Sequence, residues 1–91
     1  MTTKQNEELR HAALEVLAVR FPAAKHLPGI RRRIESCQMV DFNFEDRDLE
    51  AALAFLCGAD PALVRIVEDT LGSTKFYAAT QPGVLRWERG V

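Results

Sequence analysis

Apolar residues recur along the first fifth of the chain at Leu9, Ala12, Ala13, Val16 and Leu17. That spacing, i, i+3, i+4, i+7 and i+8, is one face of a helix over three turns. Asn6 is placed to cap it, Glu7 and Glu8 suit the positive end of its dipole, and Arg20 suits the negative end. Phe21-Pro22 predicts the stop, because the residue before proline is pushed out of the α region. Met1 to Gln5 is polar, with nothing to bury against the entropy of ordering it, and is expected to fray. An Ala-Ala-Lys-His link then leads to Leu27-Pro28-Gly29, where Pro28 suits a first helical position because its missing N–H costs nothing there. Ile30, Ile34 and Cys37 share a face of the short helix that follows.

Between Gln38 and Phe44 the period changes: Val40, Phe42 and Phe44 fall on one side of an alternating run, which predicts a short strand or extended segment. A third helix begins between Asn43 and Asp46, in a cluster of Asn, Glu and Asp that suits a helix N-terminus. Leu49, Ala52, Leu53 and Leu56 repeat the helical spacing, and Gly58 sits where a left-handed C-terminal residue is wanted. Leu63 to Val67 and Phe76 to Thr80 then read as two strands around the polar, Gly-containing loop Asp69 to Lys75. Val84 to Arg89 reads as a closing helix, with Thr80 as cap and Pro82 in its first turn; a third strand folding back through Pro82-Gly83 is the alternative. The fold class expected is α+β: a single domain over residues 1–91, with three helices and a C-terminal β-hairpin wing in a winged helix-turn-helix arrangement.

Composition adds bounds. The chain has 91 residues, 47% hydrophobic and 27% charged, which is one globular domain's worth. A domain of that size buries roughly two-thirds of its unfolded surface, so its margin is small and dimerisation is expected. The net charge of −1 and pI near 6.1 are not the basic balance that favours non-specific DNA binding, so any DNA contact must come from a local patch. Cys37 and Cys57 lack metal-ligand spacing, and no leader-like or membrane-length apolar run is present, which reads as a cytoplasmic chain with reduced thiols.

Catalytic chemistry has little to build on. His11 and His26 read as solvated residues, the glycines make no phosphate loop, and Glu45, Asp46, Asp48 and Glu50 read as a first turn complementing a helix dipole. The chain is therefore read as no enzyme, with no cofactor and no metal site. Phe76, Tyr77 and Trp87 read first as core, with base stacking as another use. Tyr77, Arg86 and Trp87 are also candidates for a partner interface, where Trp and Arg are enriched. Lys25, Arg31, Arg32, Arg33, Arg47 and Lys75 are the candidate contacts to double-stranded DNA; adjacent helical residues lie about 100° apart, so the Arg31 to Arg33 run cannot all face one way. Arg65, Arg86 and Arg89 are further basic residues that could supply phosphate contacts.

The helix Leu49 to Leu56, the strand Leu63 to Val67, the run Leu71-Gly72-Ser73-Thr74-Lys75-Phe76-Tyr77 and Thr80-Gln81-Pro82-Gly83 together resemble winged helix-turn-helix domains. The likeness is to small bacterial regulators of the ArsR or MarR kind and to short proteins of Mu-like prophages, over roughly Asp46 to Gly90. It implies DNA binding in transcription regulation or a prophage programme, with the third helix in the major groove and Lys75 at the wing near a phosphate. It also implies that Thr-x-x-Gly begins the helix after the wing. A winged-helix module that binds protein and not nucleic acid is the alternative. The acidic third helix and the long Ser36 to Phe44 link depart from the pattern, and no Cys-x-Cys pair is present, so a metal switch is not carried over.

Overall fold

The computed structural model describes residues 1–68, 72 and 74–90. Their order is α1 (Thr3–Val19), β1 (Lys25–His26), α2 (Leu27–Ser36), α3 (Asp46–Cys57), β2 (Val64–Glu68), β3 (Lys75–Ala79) and α4 (Gln81–Glu88). This is a small α+β domain of four helices and a three-stranded antiparallel sheet, ordered β1-β3-β2. Helix α1 is the hub, packing on α2, α3, α4 and β3. Leu9 and Leu17 from α1, Ile30 and Ile34 from α2, Leu49 and Leu53 from α3, and Val64 from β2 are the largest fully buried side chains. Each contributes about 1.5–3 kcal/mol by leaving water.

The apolar faces expected for α1 and α3 are the buried ones. Helix α1 nevertheless starts at Thr3, ahead of the expected Asn6, because Thr2 and Gln5 form a reciprocal capping box with both hydrogen bonds at 3.1 Å. Helix α2 is capped by His26, whose Nδ1 accepts from the Gly29 N–H at 3.2 Å, with proline in the first turn. The expected strand over Gln38 to Phe44 does not form. Gln38 takes a left-handed conformation (φ 49°), and the Met39 N–H donates to the Ile34 carbonyl at 3.1 Å, so these amides close α2 instead of joining a sheet. Phe44 is buried and Val40 and Phe42 are half-buried while Asp41 and Asn43 are exposed, so the alternation recorded sidedness without strand pairing.

Gly58 ends α3 in a right-handed conformation (φ −85°), not the left-handed one expected. Strands β2 and β3 pair from Val64↔Ala79 to Glu68↔Lys75, and the two residues of β1 add outside β3 as Lys25↔Tyr77 and His26↔Phe76. Asp69, Thr70, Leu71 and Ser73 of the expected loop lie outside the described residues. Helix α4 follows β3 directly, so the closing segment is helical and not a third hairpin strand. Thr80 caps it by accepting from the Gly83 N–H at 3.1 Å, and the same hydroxyl donates to the Ala62 carbonyl at 2.6 Å. No helix among the described residues is long and apolar enough to cross a membrane.

Candidate functional site

Helix α3 turns Leu49, Ala52, Leu53 and Leu56 inward, so the opposite face carries Arg47, Ala51 and Ala54, all exposed, with Glu50 and Phe55 on its flanks. Its first turn is tied down by local bonds. The Asp48 carboxylate accepts from the Glu45 N–H at 2.8 Å, and Arg47 Nε lies 2.9 Å from a Glu45 oxygen. The Arg47 and Glu45 side chains are 83% and 69% exposed, so their attraction is screened by water and contributes little.

The arginines of α2 separate. Arg31 turns inward toward the start of α3. Its Nη1 donates to Asp46 at 2.9 Å, its Nη2 donates to the Phe44 carbonyl at 2.7 Å, and its Nε lies 3.5 Å from Glu35. The guanidinium carbon also sits 4.8 Å from the centre of the Phe44 ring. Arg31 is thus a strut between α2 and α3, with its guanidinium engaged within the chain. Arg32 and Arg33 are exposed on different sides: Arg32 beside Pro28 and Glu35, Arg33 facing α1 across a cleft it shares with Glu8, His11 and Glu15. Lys25 is half-buried in β1, and Lys75 is exposed at the start of β3, opposite Glu68. The six basic candidates therefore form no continuous stripe.

The expected partner residues separate too. Tyr77 is a core residue, 8% exposed, and is no part of an outer surface. Trp87 is half-buried against α1, where its Nε1 donates to Glu15 at 3.3 Å, so it staples α4 to α1. Arg86 alone of the three is exposed. His26 is exposed, as expected, and in addition caps α2 and stacks on Phe76 with centroids 5.8 Å apart and the rings 4° from parallel. The structure also shows Phe55, 56% exposed, with the Arg10 guanidinium 3.8 Å from its ring centre. The only signal for Phe55 in the sequence is its place beside the apolar stripe of α3.

Burial raises the Cys57 thiol above its ordinary range. Burial first, then the charges of Glu50 and Cys57, raise the Tyr77 phenol above its usual value of 10.0. The folded state therefore holds the Tyr77 proton more tightly than the unfolded chain does. That contribution to stability is complete below about pH 10 and is lost as pH rises through the higher folded value. Chemical unfolding measured from pH 8 upward is expected to show wild type losing stability above about pH 10 more steeply than Tyr77→Phe. Superimposable alkaline profiles would remove Tyr77 from the account.

Among the described residues no three of His, Cys, Asp and Glu converge to hold a metal ion. Comparison with protein-family models, with curated proteins and with solved structures gave no significant match. What the site can do rests on its own geometry. A helix face with one exposed arginine and two alanines can approach another macromolecule closely, and its flanking carboxylates bias what that macromolecule is.

Proposed function

We propose that the chain is a winged-helix domain that binds duplex DNA through the exposed face of α3, with β2 and β3 as its wing. The observation that carries this reading is the strand order. β1, which lies between α1 and α2 in the chain, pairs with β3, so one sheet ties the α2–α3 pair to the hairpin. On the α3 face, Arg47 suits the acceptor edge of guanine, and the small Ala51 and Ala54 let the helix backbone come close to base edges and thymine methyl groups. With Arg31 committed internally and Arg33 turned toward α1, Arg32 and Lys75 are the cations left to serve phosphates. Binding through about two phosphates gives a log–log salt slope of about −2, shallow for a DNA-binding domain.

Titration of a labelled duplex at about 50 and 200 mM salt tests this reading. The expected result is binding that weakens with salt, a slope reduced by about 1 on replacing Arg32 or Lys75 with alanine, and tighter binding for Glu50→Gln, which removes a like charge. Absence of salt-sensitive binding by the folded protein would overturn it.

One observation favours a second reading. The first turns of α3 carry Glu45, Asp46, Asp48 and Glu50 against Arg47, a balance that repels phosphates and suits a basic protein surface. A winged-helix module that docks protein through α3 predicts no duplex binding at either salt concentration.

A further inference from the structure

A cleft of about 540 Å³ runs between α1, the C-terminal end of α3 and α4. Leu14, Phe55 and Leu63 line its apolar part, and Glu8, Arg10 and Arg86 stand around it. Its lining is more apolar than that of the clefts beside Arg33, beside Arg32 and beside Phe42. Phe55 is 56% exposed here, covered on one ring face by Arg10. A single exposed apolar residue is ordinary, but this one is continuous with an apolar groove floor.

We propose that this cleft is the interface of a two-fold homodimer, in which Phe55 of each copy packs into the groove of the other and Glu8 of each faces Arg86 of the other. In a two-fold pair the same patch meets itself, so a rim of one sign would repel its copy, whereas a rim holding both signs is self-complementary. This rim has a carboxylate on α1 and a guanidinium on α4, and neither Glu8 nor Arg86 forms an ion pair within the chain among the described residues. A standard interface takes about 800 Å² from each copy, a modest share of the 5908 Å² exposed. The cleft lies at the C-terminal end of α3, about two turns from Arg47, so the dimer leaves Arg47 and Ala51 open. The inference rests on residues that the DNA reading does not use.

Sedimentation equilibrium of the full chain, from micromolar to millimolar protein, tests it. The expected result is a mass of two chains at high concentration, with Phe55→Ser and Arg86→Glu each raising the dissociation constant roughly tenfold or more. The charge swap Glu8→Arg with Arg86→Glu is expected to recover dimerisation lost in Arg86→Glu. Circular dichroism confirms that each variant is folded. A monomer at every concentration overturns the proposal, and so does a dimer whose affinity Phe55→Ser and Arg86→Glu leave unchanged.

Discussion

Gly83→Ala is expected to destabilise the domain by about 3 kcal/mol, although the same exchange inside an ordinary helix stabilises by about 1 kcal/mol. A Cβ at this position would lie 2.1 Å from the Leu63 carbonyl oxygen and 3.0 Å from its carbon. The obstacle is backbone and cannot rotate away. It is also engaged, since the Leu63 oxygen accepts from the Thr80 N–H at 3.1 Å. Relieving the clash moves α4 away from the start of β2, loosening the Thr80 cap and the Trp87 contact to α1, or else breaks the bond to Leu63. Gly58→Ala is the control: the added carbon meets only the Ala54 and Phe55 carbonyl oxygens, at 3.4 and 3.8 Å. Urea denaturation of the two variants should therefore separate them widely. A Gly83→Ala protein as stable as wild type would show that α4 does not approach β2 this closely.

Leu53→Ala is expected to cost about 2–5 kcal/mol, the range for deleting a fully buried leucine. Leu53 has no exposed surface and stands on the inner face of α3, in the core cluster that includes residues of α1 and α2. Its neighbour Ala54 points to solvent, so Ala54→Ser should stay within about 0.5 kcal/mol. Thermal melts would place the two about 10 °C or more apart, since each kcal/mol moves the midpoint of a domain this size by several degrees. Equal melts would put the inner face of α3 elsewhere on the helix.

The same contrast shows what was legible in the sequence. Periodic burial is written locally, so the inner faces of α1 and α3 could be read from residues three and four apart, and Thr80-x-x-Gly83 marked the start of α4. The Thr2-x-x-Gln5 box was equally local, but Asn6 before two glutamates offered a competing cap. Strand β1 was illegible because two residues have no period, and what makes them a strand is β3, some fifty residues on. The Gln38 to Phe44 alternation was real as burial and misleading as a strand, because the left-handed turn at Gln38 spends the amides that a sheet would need.

The candidate site was less legible still. Arg31 looks like its neighbours in the sequence, and what distinguishes it, Phe44 and Asp46, lies thirteen and fifteen positions away. Tyr77 and Trp87 were recognisable as large aromatics, yet whether each faces core or solvent depended on α1 and the sheet. Phe55 showed the converse: an aromatic inside a helical run, left outside because the core-facing stripe was already filled by leucines and alanine.

The hydrogen bonds around Thr80 also set what the hairpin can tolerate. Ala62 and Leu63 at its start are clasped to Thr80 at its end, by the hydroxyl at 2.6 Å and the amide at 3.1 Å. Chain between these points is a closed excursion whose base is fixed independently of its tip. The entropy of such a loop grows only logarithmically, by about 0.6 kcal/mol for each doubling of length. The clasp of Ala62 and Leu63 to Thr80 thus anchors the base of the hairpin to the start of α4 with bonds that use nothing from its tip.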